Sequence, residues 1–205
     1  MRNRFCAVLS LLFSSGCINY SSYQDARIVE RGHSSGTFAA TASKYQSKND
    51  YDEDAFDWYV LDMNPRFGLG SVFDAGFRMS VLFSNDDLGW VVLGGDVRAG
   101  IIKNYLAATL PVNIALAGNA VETTNLQPGF IVTIPIVEQL DVNGSVRKAF
   151  YLQDTDASWW LYNAGLGIKV SQGWRLRPEV GWMVPAASYD HSYYMQFGVG
   201  ITNEH

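Results

Sequence analysis

Between Trp58 and Phe83 the sequence alternates apolar and polar residues twice, on either side of a Gly70-Ser71 break. Before the break the odd positions are Tyr59, Leu61, Met63, Pro65, Phe67 and Leu69; after it they are Phe73, Ala75, Phe77, Met79, Val81 and Phe83. The even positions carry Asp62, Asn64, Arg66 and Gly68, then Asp74, Gly76, Arg78 and Ser80. A period of two, held for about a dozen residues in each arm, is the pattern of a β-hairpin with two unlike faces. Each arm is longer than the five or six residues usual for a strand in a soluble domain. Roughly ten is what a tilted strand needs to cross a bilayer.

The pattern recurs along the chain. Beyond the hairpin, strands are expected at 36–45, 88–100, 104–117, 125–137, 145–153, 159–170, 174–182 and 192–202, with turns at Asn143-Gly144 and Ser171-Gln172-Gly173. The expectation is all-β, a transmembrane antiparallel up-and-down β-barrel of about ten strands, with eight and twelve as alternatives. Residues 46–57 hold Asp50, Asp52, Glu53, Asp54 and Asp57 but no glycine-bearing calcium-loop frame, so they read as a solvated acidic loop. Residues 36–205 form one barrel domain.

Several function classes fall away early. A formal charge of −5 argues against nucleic acid as a partner. No apolar run approaches the ~18 residues of a spanning helix. No phosphate-binding glycine loop, Cys/His metal cluster or serine elbow is present, so neither metal nor cofactor is expected.

The N-terminus reads as an export signal over residues 1–16: Arg2 and Arg4, an apolar core from Phe5 to Phe13, then Ser14-Ser15-Gly16-Cys17. Its end resembles a bacterial lipoprotein lipobox, with Ser14 where that family usually has Leu. The resemblance implies acylation of Cys17, and Ile18 after it implies sorting to the outer membrane. Cys6 falls in the discarded piece, leaving one cysteine and no disulfide. Residues 17–35 are expected to be a lipidated tether, of which Ala26 to Gly32 could lie against or inside the barrel.

Alternation alone does not say which face meets lipid, because a soluble lipocalin-like barrel shows the inverted pattern. Charge decides for the membrane reading. Asp62, Arg66, Asp74, Arg78, Asp96, Arg98, Lys169, Arg175, Arg177 and Glu179 share one face among glycines. An Arg or Lys facing lipid at mid-bilayer costs roughly 2–4 kcal/mol, so these ten are expected to form a lumen charge network. An aromatic girdle is expected from Trp58, Trp90, Trp159, Trp160, Trp182 and Tyr193 at the outer rim, with Tyr105 and Trp174 at the inner. Short turns after the second, fourth and eighth expected strands, and longer polar loops after the first, fifth and ninth, are expected to place both termini in the periplasm.

Two stretches carry a family resemblance: the hairpin from Arg66 to Arg78, and Tyr-Met-Gln-Phe-Gly-Val-Gly-Ile over 194–201. The chain resembles small bacterial outer-membrane β-barrel proteins, here with a lipoprotein signal. The second stretch is similar to the C-terminal signal read by the barrel-assembly machinery, but Thr202-Asn203-Glu204-His205 follows it where that family ends on Phe. The resemblance implies the lipid bilayer and that machinery as partners. Pro65, Pro111, Pro128, Pro135 and Pro178 fall within expected strands, where a closed barrel has no edge to accommodate them.

The expected role is structural or that of a narrow conduit, with a soluble periplasmic lipocalin-like binding lipoprotein as the alternative. Asp190-His191, near Asp86, Asp87, Asp154 and Asp156, is the one candidate for water activation. It resembles the ten-stranded omptin proteases loosely, in a shorter chain, and no catalytic residue is assigned.

Overall fold

The computed structural model describes residues 21–46, 58–83, 88–117, 120–153, 158–186 and 193–204. The strands are β1 Ser34–Gln46, β2 Trp58–Gly68, β3 Phe73–Phe83, β4 Leu88–Ile102, β5 Leu106–Ala117, β6 Ala120–Leu126, β7 Gly129–Val137, β8 Leu140–Tyr151, β9 Ser158–Ser171, β10 Trp174–Pro185 and β11 Tyr193–Glu204. Each pairs antiparallel with its neighbour, and β1 pairs with β11 from Ser35 opposite Glu204 to Gln46 opposite Tyr193, closing the ring. β6 and β7 are two halves of one stave, since β5 and β8 each pair with both. The wall therefore has ten staves, the expected number.

The prolines explain where the ladder is interrupted. The β2–β3 ladder runs to Met63 opposite Met79 and resumes at Arg66 opposite Gly76, passing over Pro65. The β9–β10 ladder passes over Pro178, between Leu176 and Glu179. Pro111 falls between the β6 and β7 pairings of β5, and Pro135 adjoins a register shift. Pro128 stands in the β6–β7 break. There the Gln127 amide donates to the Pro111 carbonyl at 2.8 Å and the Lys148 amide to the Pro128 carbonyl at 3.0 Å, so both neighbours hold the broken stave. A sheet without edges takes proline by local gaps.

Two connections differ from expectation. Asn143-Gly144 is not a turn but the middle of β8, and the chain reverses at Glu138 and Gln139. Asn143 points into the lumen, accepting from Thr133 Oγ1 at 2.8 Å and donating Nδ2 to Asp141 at 2.6 Å. The short-range preference of Asn-Gly for a hairpin turn gives way because β8, continued to Leu140, pairs with β9 along its full length. Similarly, residues expected as loop ahead of 125 are strand β6, which pairs with β5 from Ala120 onward.

The faces settle the orientation. Phe38, Leu61, Phe77, Val97, Ile134 and Phe197 are exposed on the outside, whereas Asp62, Arg66, Asp74, Arg98, Asn113, Arg147, Arg177 and Gln196 are buried inside. The lipocalin-like alternative needs the reverse and is overturned. One rim carries the turns 69–72, 103–105, 138–139 and 172–173 together with the end of β11; the other joins strands through 47–57, 84–87, 118–119, 152–157 and 186–192. These are the turn rim and the loop rim below. Gly173 in the last turn has φ of +77° and Asn104 in the second +67°, left-handed values that glycine and asparagine tolerate.

Candidate functional site

The lumen is filled by the chain itself. Residues 21–30, expected within a tether, run inside the barrel: Ser21, Ser22, Tyr23, Asp25 and Ala26 are all buried. This plug has no ladder, and its backbone is satisfied by wall side chains, as a buried backbone requires. Glu179 accepts from the Ser22 amide at 2.7 Å and the Tyr23 amide at 2.8 Å. Thr133 Oγ1 accepts from the Ala26 amide at 2.8 Å, and Asp74 from the Val29 amide at 2.9 Å. Arg78 donates to the Ser21 carbonyl at 2.8 Å, and Arg98 to those of Asp25 at 2.6 Å and Arg27 at 3.1 Å. The plug thus descends from mid-barrel at Ser21 to the turn rim, where Arg31 bridges Gly68 and Gly32, at φ of +84°, turns the chain into β1.

Glycines in β11 and β2 make room for it. A Cβ on Gly198 would lie 1.7 Å from Tyr23 Oη, and one on Gly200 3.1 Å from the Tyr23 ring. A Cβ on Gly68 would lie 1.9 Å from the Glu30 carbonyl oxygen. Tyr23 itself has φ of +43°, rare for a bulky residue; Glu179 fixes its amide and Thr41 pairs with its hydroxyl.

Below and around the plug the wall charges form one network. Asp74, fully buried, accepts from Arg98 Nη2 at 2.6 Å and Nε at 3.0 Å, and from the Nε and Nη2 of Arg66. Arg66 also reaches Asp96 at 2.6 Å, which Thr109 holds at 2.7 Å. Arg78 lies 4.0 Å from Asp62, to which Ser80 donates. Nearer the turn rim, Arg177 bonds Asp25 at 2.7 Å and Glu204 at 2.8 Å, while Arg175 bonds Asp141 and Glu204, each at 2.9 Å. Arg27 joins Asp25 at 2.8 Å to Asp141 at 2.7 Å. Between plug and wall a cavity of about 310 Å³ remains, lined by Tyr23, Asp25, Arg27, His33, Arg98 and Arg177 among others.

Of the ten charges expected inside, nine line the lumen or its mouth. Lys169 does not enter the network: it sits exposed at the turn rim, 2.8 Å from Glu138, whose carboxyl it holds below the ordinary range. Asp25, Arg27, Asp141, Arg147 and Glu204 belong to the interior but are not among those ten. Asp141 and Arg147 share parity with Asn143; Asp141 precedes the turn expected at Asn143-Gly144, and Arg147 lies within the strand expected at 145–153 but is not among the ten charges expected inside. Glu204 lies past the expected strand end and Asp25 in a segment without periodicity, while Arg27 falls in the stretch, Ala26 to Gly32, for which a place inside the barrel is one expectation.

The girdle is smaller than expected. Trp160 and Tyr105 are exposed on the outside, and Trp174, Trp182 and Tyr193 share the outward parity of their strands. Trp58, Trp90 and Trp159 point inward instead. Trp90 packs with Val60, Leu82, Val92 and Ala115, with Trp58 against them; Trp159 packs on Ala149, Tyr151, Leu161, Met183 and Tyr194. Parity is the cause, because Trp58 and Trp90 are even-numbered like Asp62 and Asp96 on the same strands. Lys148, on the outward parity of β8, lies 4.9 Å from the Phe150 ring centroid and 5.6 Å from that of Trp160. Its long stem covers apolar surface there.

Cys17, Asp86, Asp87, Asp154, Asp156, Asp190 and His191 lie outside the described residues, as do the expected signal segment and the acidic loop. Among the described residues no group of three or more His, Cys, Asp or Glu is placed to hold a metal.

No protein-family model and no curated protein matches the sequence. Solved structures match the fold. The outer membrane protease OmpT from Escherichia coli superposes with a TM-score of 0.53 at 8% identity, covering 84% of this chain and 97% of that one. The NanC porin gives 0.48 at 7% identity, over 82% of this chain and 100% of the other. The translocator domain of autotransporter NalP from Neisseria meningitidis gives 0.46 at 9%, over 100% and 96%. The chain has the closed ten-stranded barrel fold of bacterial outer-membrane proteins.

Proposed function

We propose that this protein is an exported outer-membrane lipoprotein whose barrel is closed by its own N-terminal segment, and that its role is structural rather than conductive. The observation that carries the reading is the seating of residues 21–30 across the lumen, bonded to β3, β4, β7, β8 and β10 at once. The signal segment and lipobox-like Cys17 supply export and acylation. The apolar outer face supplies the affinity for the bilayer, with the loop rim outside the cell, the turn rim in the periplasm, and the barrel-assembly machinery acting on the terminal strand. No catalytic role is assigned to it.

Single-channel recording in planar bilayers tests the reading. The mature chain is expected to show no steady conductance, and a variant lacking residues 22–29 to show one. Steady current through the intact protein overturns it. A narrow conduit is the second reading, favoured by the polar cavity of about 310 Å³ beside Arg177 and Arg98. It requires current that persists with the plug in place.

A further inference from the structure

The cavity between plug and wall is bounded by residues 23–30 on one side and by β1, β2, β4, β10 and β11 on the other. Tyr23, held by Glu179 and Thr41, is the uppermost plug residue on it. Glu30 and His33, both exposed, stand at its lower end by the turn rim. Its volume of about 310 Å³ is at the small end of the range for ligand pockets.

Arg66, Arg98 and Arg177 line this cavity with buried guanidiniums. Arg66 and Arg98 use all three of their nitrogens, on Asp74, Asp96 and the plug carbonyls. Arg177, only 3% exposed, does not. Its Nε donates to Thr202 Oγ1 at 2.9 Å, and its Nη2 to Asp25 at 2.7 Å and Glu204 at 2.8 Å. Its Nη1 has no acceptor among the described residues. That nitrogen carries two N–H donors of a charged group, and a buried donor without a partner is costly, most of all on an ion. The carboxylates nearby are held by other nitrogens: Asp25 by Arg27 Nη1 and Arg177 Nη2, Glu204 by Arg175 Nε and Arg177 Nη2. Glu30 lies 3.9 Å from Lys103 at the exposed mouth. The chain thus brings a buried cationic donor pair to the pocket and directs its own carboxylates to other partners.

We propose that this pocket is a binding site for a small oxyanion, a phosphate or carboxylate group whose oxygens meet Nη1 of Arg177. Hydrogen bonds between two ionised groups are the strong ones, and the planar guanidinium matches the geometry of either oxyanion. The site rests on the plug reading given above, because residues 23–30 form one of its walls; with the turn rim in the periplasm, its ligand is a periplasmic solute. Isothermal titration calorimetry of the full mature chain, folded in detergent at constant ionic strength, tests it with inorganic phosphate in one arm and succinate in the other. Saturable uptake at a single site per barrel is expected in at least one arm, and the arm that responds names the group. Arg177→Lys keeps the charge but removes Nη1, and is expected to weaken binding at least ~10-fold, as loss of a hydrogen bond to a charged group does. Ser35→Trp fills the pocket from β1 while leaving every arginine in place, and is expected to weaken binding as much. It decides alone if Arg177→Lys lacks the heat-modifiable gel shift of a folded barrel. No saturable uptake in either arm, the result for a pocket that holds water alone, overturns the proposal, as does unchanged affinity in either folded variant. Conductance keeps the two readings apart: a closed barrel that takes up neither anion loses the pocket only, whereas steady current through the intact protein removes the plug that walls it.

Discussion

Asp74 is where the charge network can be broken most informatively. It is fully buried and accepts four guanidinium N–H bonds, two each from Arg66 and Arg98, besides the Val29 amide of the plug. Asp74→Ala leaves Arg66 with Asp96 at 2.6 Å but strips Arg98 of its carboxylate, leaving it the carbonyls of Asp25 and Arg27. Removing one partner of a buried pair costs about 3–5 kcal/mol, because the other charge stays behind uncompensated. At 1.4 kcal/mol per decade that is a shift of roughly 140- to 3700-fold in the folded-to-unfolded ratio. Urea titration of the barrel in liposomes, read by heat-modifiable gel migration, measures it. The double variant Asp74→Ala/Arg98→Leu removes the stranded cation and is expected to recover at least half of the loss. A loss below about 1 kcal/mol, typical of exposed ion pairs, refutes the reasoning, since the interior would then be wet enough to solvate its own charges.

Gly198→Val places a side chain where Tyr23 Oη lies 1.7 Å from the first added carbon, so the plug is expected to leave and conductance to appear; an unchanged closed state counts against the seating of Tyr23. Gly144→Ala meets an ordinary contact at 3.6 Å and is expected to change stability by less than about 0.5 kcal/mol, whereas Gly173→Ala, at φ of +77°, is expected to cost about 1–2 kcal/mol in the same urea titration. Equal costs would restore the turn to Asn143-Gly144. In single-tryptophan variants, brominated lipid is expected to quench Trp160 and Trp182 and to spare Trp58, Trp90 and Trp159; quenching of Trp90 would put it back among the lipid-facing residues. Val29→Pro removes the amide that reaches Asp74 and is expected to raise conductance, while Val29→Ala, which keeps it, is not.

Parity made the wall legible. Strand length, ten staves, the closing pair and the sidedness of Asp62, Arg66, Asp74 and Arg98 all follow from a two-residue period read against the cost of a charge in lipid. The errors came from setting parity aside for a local habit: Trp58, Trp90 and Trp159 were assigned by residue type to a girdle, and Asn143-Gly144 by dipeptide to a turn. The three tryptophans and Asn143 sit on inward positions, and the period alone places them there. The plug is a different matter. Residues 21–30 have no period because they belong to no sheet, and the wall groups that hold the Ser22, Tyr23, Ala26 and Val29 amides lie more than forty residues away in sequence, at Asp74, Thr133 and Glu179.

That distance shows in the partners of the interior charges, several of which bond the plug backbone as well as opposite charges. Glu179 receives Ser22, Tyr23 and the Asn163 amide nitrogen, and none of these is a cation. Arg98 spends two of its donors on plug carbonyls, and Arg78 reaches the carbonyl of Ser21. Among the described residues, with the plug included, Arg27, Arg66, Arg78, Arg98, Arg147, Arg175 and Arg177 stand against Asp25, Asp62, Asp74, Asp96, Asp141, Glu179 and Glu204, seven charges of each sign. Without it Asp25 and Arg27 are missing together, so the sum is unchanged. What the plug adds is the Ser22 and Tyr23 donors that Glu179 holds beside Asn163, and the carbonyls that Arg98 and Arg78 reach besides Asp74 and Asp62. The inward residues are therefore complementary to an extended backbone running down the lumen, and the ten-stranded wall carries the imprint of the segment that closes it.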